Sequence, residues 1–379
     1  MKFEISSTAL AERVKMLNKV INPKSTLPIL TNIYCKVKGN GLTLIASDAD
    51  VTVSTELIIS EPIEKEFSFC ATASNIINAL SSLSEQPVTF DVDMDNLKAT
   101  ITHMSGQTFF AILSGDDYPV PELKTYENKL LNVDAMSVTE AIKRSLWATC
   151  KDAVARPQMC GLYFNAHDGN LDIVATDGHV LVKTEIPTED DTNGSFIMPS
   201  KEASLLQAMA PDENTLDILW DDKQGRIEMS YYDLNFRLIE GKYLNYNSVI
   251  PTDQPITATI QRKSLANSMK KVVPFSQIRS ESRMVCMKFE TGKLTLEAQD
   301  LDFQAGAEDH FPIQLEGCES ISIGMNGTAT LAILSKLSGQ EVVMHITDPS
   351  CAIVFTPNEQ PENCNITMLQ MPMLLIQDE

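Results

Sequence analysis

None of the eight cysteines (35, 70, 150, 160, 286, 318, 351 and 364) forms a Cys-x-x-Cys pair, which removes the usual zinc and dithiol motifs. The five histidines (103, 167, 179, 310 and 345) include no pair at i+3 or i+4, so neither a metal site nor a cofactor is expected. Gly-x-Gly-x-x-Gly, Walker A, Gly-x-Ser-x-Gly and His-Glu-x-x-His are all missing, and with them the common signatures of nucleotide, hydrolase and metalloprotease chemistry. No apolar run approaches the roughly 18 residues of a membrane helix. The opening Met1-Lys2-Phe3-Glu4-Ile5 has no apolar leader core, so a cytoplasmic, membrane-free protein is expected. The cysteines sit mostly in apolar runs and read as buried free thiols in a reducing compartment. The sequons at Asn193, Asn326 and Asn365 then read as chance matches. Positive charge is scarce: 30 Lys and Arg against 51 Asp and Glu leave a net charge of −21. Such a chain cannot coat a polyphosphate with its whole surface, and contact with nucleic acid needs a segregated basic face.

What is present is a threefold repeat. Gly39-Asn40-Gly41-Leu42-Thr43-Leu44 leads to Ala46-Ser47-Asp48. Asp168-Gly169-Asn170-Leu171-Asp172-Ile173 leads to Ala175-Thr176-Asp177. Thr291-Gly292-Lys293-Leu294-Thr295-Leu296 leads to Ala298-Gln299-Asp300. A short Gly-containing turn between apolar runs predicts a hairpin in each. A helical stripe precedes each turn: Leu10, Val14, Leu17 and Ile21; Ile142, Leu146 and Cys150; Leu265, Met269 and Val272. A strand and a second helix follow within 67–83, 196–209 and 321–337. Closing strands then appear, such as Val88–Val92 with Lys98–Thr102 and Val342–Ile346 with Ala352–Phe355. Turn-rich stretches at 116–121 and 250–255 place boundaries that give three α+β domains, 1–124, 125–250 and 251–379.

The scarce cations gather on the first helix of each repeat. Arg13, Lys15, Lys19 and Lys24 stand against Glu12. Lys143, Arg144, Lys151 and Arg156 stand against Glu140 and Asp152. Arg262, Lys263, Lys270, Lys271, Arg279 and Arg283 stand against Glu281. The same bias at the same place three times predicts one surface that meets phosphate while the rest repels it. No recognition helix or zinc finger accompanies it, so base-specific reading is not expected. Thr176-Asp177-Gly178-His179 is the one polar cluster that suggests acid–base chemistry. No nucleophile stands near it, and Asp48 and Asp300 recur without a matching His. A turn or strand-end role is therefore expected, and no catalytic residue.

Thr26-Leu27-Pro28-Ile29-Leu30, Ala175-Thr176-Asp177-Gly178-His179 and Met371-Pro372-Met373, together with the repeat, resemble the bacterial DNA polymerase III beta subunits, the replicative sliding clamps. The resemblance spans the whole chain. It implies clamp-type domains, each with two helices packed on antiparallel sheets, in a half ring that dimerises head-to-tail. It implies a non-catalytic processivity factor in DNA replication, threaded by double-stranded DNA without sequence preference. Lys24, in the loop after the first helix, and Lys201, at the start of the second helix of domain two, join the DNA-facing set of Lys15, Lys19, Lys143, Arg144, Lys151, Arg156, Lys270 and Lys271. By position, Phe109, Phe110 and Phe275 are candidates for the dimer interface. The resemblance also implies an apolar cleft that takes peptides from the DNA polymerase III alpha subunit, the clamp loader complex, other polymerases and repair proteins. Carried over by motif, the cleft comprises Thr176, Gly178, His179 and Leu181, Val249, and Met371, Pro372 and Met373, with Met159 and Leu162 flanking Gly161. Val180, Ser248 and Leu374 stand where many members of the family have Arg, which makes the rim less basic. The tail Gln377-Asp378-Glu379 adds acid beyond it.

Overall fold

The computed structural model describes residues 1–121, 124–276, 283–300 and 302–375. Arg279, Glu281 and the acidic tail lie outside the described residues. Among the described residues are six α-helices: α1 (Ser7–Leu17), α2 (Ala73–Leu80), α3 (Ala135–Ser145), α4 (Ser200–Met209), α5 (Arg262–Val272) and α6 (Gly327–Lys336). They fall two to a repeat and alternate with antiparallel sheets, the α+β pattern expected. No helix among them is long and apolar enough to cross a membrane.

Local chemistry sets the helix limits. Ser6 accepts a hydrogen bond from the Ala9 amide at 3.1 Å and starts α1. Asn326 accepts from the Thr328 and Ala329 amides, both at 3.0 Å, and starts α6, so this sequon serves as a helix cap. Leu10, Val14 and Leu17 on α1 and Leu265, Met269 and Val272 on α5 are buried, as their spacing predicts. The stripe over α3 is cut short. The helix ends at Ser145, the chain tightens into a 3-10 turn at Leu146–Ala148, and the Thr149 hydroxyl donates to the Leu146 carbonyl at 2.9 Å. Leu146 and Cys150 therefore leave the helical face and are only half-buried.

The described chain divides into two compact units, Met1–Met136 with Ser204–Leu238, and Ser137–Ala203 with Ile239–Glu379. These units do not follow the three repeats, because each sheet of the middle repeat is fused to a sheet of a neighbouring repeat. In the first unit, strand Val51–Ala71 pairs with Asp233–Arg237, from Val51 opposite Phe236 to Ser54 opposite Asp233. That makes a seven-stranded sheet beside a four-stranded one ordered Lys2–Ser6, Pro87–Asp93, Lys98–His103, Gly106–Ala111. In the second unit, strand Val180–Pro187 pairs with Asn365–Gln370, from Val180 opposite Gln370 to Glu185 opposite Asn365. That makes a nine-stranded sheet beside a four-stranded one ordered Ala305–Phe311, Lys293–Asp300, Met284–Glu290, Ser320–Asn326. The predicted hairpins at Asp168-Gly169 and Thr291-Gly292 are present. In the first repeat the corresponding stretch lies within one extended segment, Ile33–Ser47, whose register shifts at Gly39 and Gly41.

Packing corrects several expectations. Phe110 belongs to the core: it is 8% exposed and meets Phe90 edge-on with ring centroids 6.3 Å apart, while Phe90 stacks on Phe3 at 5.2 Å. Arg144 is also interior, with its Nη1 donating to the Thr184 hydroxyl at 3.1 Å, so it does not offer its charge to an external phosphate. All eight cysteines are free, but only Cys35, Cys70 and Cys364 are buried; the other five are half-exposed.

Candidate peptide cleft and phosphate-facing helices

The recurring Asp of the three repeats is a turn-former. Asp48 Oδ1 accepts from the Asp50 and Val51 amides at 3.1 and 2.9 Å. Asp177 Oδ1 accepts from the His179 and Val180 amides at 2.8 and 2.9 Å. Asp300 Oδ1 accepts from the Asp302 and Phe303 amides at 3.0 and 3.2 Å. In the second repeat the Thr176 hydroxyl donates to the Val180 carbonyl at 2.6 Å and accepts from the Gly178 amide at 3.1 Å. The carboxylate thus serves the backbone, and His179 stands exposed at the turn's tip. Gly178 has φ of +92°, and a Cβ there would meet Arg156 Nη1 at 2.5 Å. Arg156 lies across this turn and donates to the Asp177 carbonyl at 3.1 Å.

The C-terminal run ties this turn to the third repeat. Strand Asn365–Gln370 ends beside the turn, and the Met371 amide donates to the His179 carbonyl at 2.8 Å. Two residues on, the Met373 amide donates to the Gly324 carbonyl at 2.7 Å. Pro372, which has no amide hydrogen, stands between the two anchors. Gln370 secures the run from beneath. It is 1% exposed, donates to the Asn326 carbonyl at 3.0 Å and accepts from the Thr330 hydroxyl at 2.9 Å. Met371 and Val249 remain 41% and 44% exposed, and Met373, Pro372 and Met159 are half-buried. Leu162 and Leu181 are buried within the nine-stranded sheet and serve as support, not as surface. Exposed and half-exposed methionines beside a histidine and a fixed turn make an adaptable apolar surface.

Val249 depends on a network that the spacing of residues did not reveal. It closes the short 3-10 turn Tyr246–Val249. Tyr246 Oη donates to the fully buried Asp172 at 2.6 Å and accepts from Asn165 Nδ2 at 2.9 Å. Lys183 Nζ reaches Asp172 at 3.0 Å and Glu185 at 2.9 Å, and His167 Nε2 lies 3.1 Å from Asp172. Burial opposes the charge on Lys183, but its bonds to Glu185 and Asp172 outweigh that and raise its pKa above the ordinary lysine value. Burial and the Asp172 acceptor push the Tyr246 phenol well above its usual range. Alternating strand residues whose side chains meet across the sheet fold give no linear motif. The only sequence signal was a carboxylate and a lysine inside otherwise apolar runs.

Of the predicted DNA-facing cations, Lys15, Lys19, Lys24, Lys143, Lys151, Lys201, Lys270 and Lys271 are exposed. Lys143 also pairs with Glu140 at 2.8 Å and Lys271 with Asp309 at 2.8 Å. Arg156 is exposed but belongs with the Thr176–His179 turn. Phe109 is 63% exposed on the edge strand Gly106–Ala111, with Lys98 Nζ 4.2 Å above its ring. It helps to line a cavity of about 180 Å³ with Asn75, Asn78 and Thr108. Phe275, 44% exposed, ends the 3-10 turn that follows α5.

Family models for the N-terminal, central and C-terminal domains of the DNA polymerase III beta subunit match residues 1–123, 132–245 and 247–374. The chain belongs to the DNA polymerase III beta subunit family. It is a DNA sliding clamp, a non-catalytic processivity subunit. Among curated relatives, the beta sliding clamp of Chlamydia muridarum is 25% identical over 381 residues, covering all of both chains. That of Pseudomonas putida is 22% identical, covering 99% of this chain and 100% of its own. The fold matches a sliding clamp from Pseudomonas aeruginosa, solved bound to griselimycin, with a TM-score of 0.91 at 20% identity, covering 99% of this chain and 100% of that one. A beta subunit from Thermotoga maritima gives a TM-score of 0.88 at 21% identity with the same coverage.

Proposed function

We propose that two copies of this chain close head-to-tail into a ring around duplex DNA, each a half ring of three domains at 1–124, 125–250 and 251–379. The family-model spans lie close to those boundaries. The observation that carries the ring is a pair of unlike sheet edges. Strand Gly106–Ala111 ends one four-stranded sheet and Ala305–Phe311 ends the other. The first presents Phe109 under Lys98; the second presents the exposed Glu308. Two unlike, complementary edges suit a heterologous contact that closes. Phe109 and Phe275 are the aromatic candidates for that contact, with the cavity beside Phe109 as the receiving surface. The exposed cations of α1, α3, α4, α5 and their flanking loops then face DNA, where diffuse phosphate contact holds without arresting.

The surface formed by Gly178, His179, Val249, Met371, Pro372 and Met373, with Met159 at its side and Thr176, Leu162 and Leu181 beneath, binds short apolar peptide segments. These come from the DNA polymerase III alpha subunit, the clamp loader, other polymerases and repair proteins. Arg156 supplies a positive rim that Val180, Ser248 and Leu374 do not. The tether raises the local concentration of polymerase at the primer end, so release is followed by rebinding.

The test is retention on DNA. Labelled protein is loaded by its clamp loader with ATP on nicked circular plasmid, which is then linearised in moderate salt. Retention on circles with escape from linear ends is expected. Equal loss from both, with the loader active on a control clamp, would refute the ring.

A further inference from the structure

The loop between α3 and strand Gly161–His167 brings two of the half-exposed cysteines together. The Cys150 amide donates to the Met159 carbonyl at 2.9 Å, which closes the loop at its base. Ser200 fixes the same base from α4, donating to the Cys160 carbonyl at 2.5 Å, with the Thr149 hydroxyl 3.3 Å from its oxygen. The bond to Met159 joins Cys150 to the residue beside Cys160 and sets the two cysteines side by side on the backbone, with the Cys150 thiol 4.0 Å from the Asp152 carbonyl and the Cys160 thiol 3.5 Å from the Arg156 carbonyl. Neither is buried. Between them the chain turns on Asp152, whose Oδ1 accepts from the Val154 and Ala155 amides at 3.1 and 3.0 Å. That turn carries Lys151, Arg156 and Met159, and leaves Val154 95% exposed. No bond in the mechanism above uses either thiol.

We propose that Cys150 and Cys160 form a reversible disulfide that locks this loop and, through Arg156 and Met159, sets the stiffness of one wall of the peptide surface. The oxidant class is a hydroperoxide. One thiolate attacks the O–O bond of hydrogen peroxide, takes one oxygen as a sulfenic acid and, with a proton, releases water. The second thiol displaces that oxygen as a second water and leaves the S–S bond. Two thiols lose two electrons and two hydrogens, and the peroxide is reduced to two waters. A dithiol reductant returns both electrons and both protons. The effect on peptides rests on the cleft reading above; the crosslink itself does not.

The full-length chain is treated with hydrogen peroxide, alkylated and mapped by mass spectrometry. One crosslink joining Cys150 to Cys160 is expected, reversed by dithiothreitol. Trypsin cleavage after Lys151 should slow by about tenfold in the oxidised form, because local opening of the loop is suppressed. Cys160→Ser should abolish both changes. Mapping the unaltered chain keeps the result independent of how that variant folds. Free alkylation of both thiols after peroxide, or over-oxidation of either without a crosslink, would overturn the proposal. A polymerase-derived peptide should bind the two redox forms of the unaltered chain with different affinity, and Cys160→Ser equally before and after peroxide. Equal affinity for the reduced and the crosslinked forms of the unaltered chain would overturn the coupling to the wall. A crosslink with no peptide binding in either form would refute the cleft reading and leave the disulfide standing.

Discussion

Ala49 and Gly178 hold the same place in the turns of the first and second repeats, and both have φ in the left-handed region, +84° and +92°. Glycine adopts that conformation freely; alanine meets its own carbonyl there at a cost of about 1–2 kcal/mol. The more flexible unfolded chain of a glycine variant takes back about 0.4–1 kcal/mol. Ala49→Gly should therefore stabilise the first repeat by about 0.5–1 kcal/mol, read as a raised midpoint in urea or thermal unfolding. Gly178→Ala runs the other way. It strains the turn and drives the Arg156 guanidinium from the Asp177 carbonyl, so it should weaken peptide binding while the dimer stays intact. Titration calorimetry with a polymerase-derived peptide, alongside sedimentation, separates the two effects. Asn326 is a simpler case: it caps α6 with two amides, and Asn326→Ala should cost about 1 kcal/mol in a denaturant melt.

Among the elements, the helices and hairpins were the legible part. The stripes on α1 and α5 and the Asp-capped turns depend on contacts a few residues apart, so periodicity and spacing expose them. Arg144 looked like one more solvated cation because charge near an amphipathic helix usually is; only packing reveals that it turns inward to Thr184. Phe110 and Phe109 are neighbours in sequence, and strand alternation sends one to the core and the other to solvent. Arg156 reads in the sequence as one more cation after the helix, but a loop conformation, not a helical face, sets its guanidinium against the Asp177 carbonyl. The Asp172–Lys183–Tyr246 network was hidden because its members lie on strands and a turn up to 74 residues apart. That network should set the acid stability of the sheet. Burial raises the Glu185 pKa, but its bonds to Lys183 and Asn365 outweigh this and hold it below the usual carboxylate value. A depressed carboxylate stabilises the fold above its unfolded pKa, about 4.3, and loses that contribution as pH falls through the lower folded value. Glu185→Gln should flatten the acid limb of a stability–pH curve below about pH 4.3 and leave neutral behaviour of the turn Tyr246–Val249 intact, as followed by tyrosine fluorescence.

For the whole molecule, the −21 charge and the clustering of exposed cations suit the proposed association with DNA, which is topological, not adhesive. Ring closure should then be governed by the sheet ends. Phe275→Asp places a charge where an aromatic contact is proposed and should lower dimer affinity at least tenfold, since burying an unpaired carboxylate costs more than about 1.4 kcal/mol. Sedimentation velocity across a dilution series reads this directly, and an unchanged dimer would remove Phe275 from the interface.

Strand Val180–Pro187 finds its partner in Asn365–Gln370, with Glu185 and Asn365 separated by 180 positions. A ribosome adds about 5–20 residues each second. For many seconds of synthesis, then, the nascent second repeat carries a bare strand edge that only the far end of its own chain can cover. Unpaired edges recruit other strands. A stalled or prematurely terminated product should accordingly be a target for holdase chaperones, and neighbouring ribosomes on one message should risk exchanging this strand between chains. The seam that joins the second repeat to the third thus waits on a strand made 180 positions later.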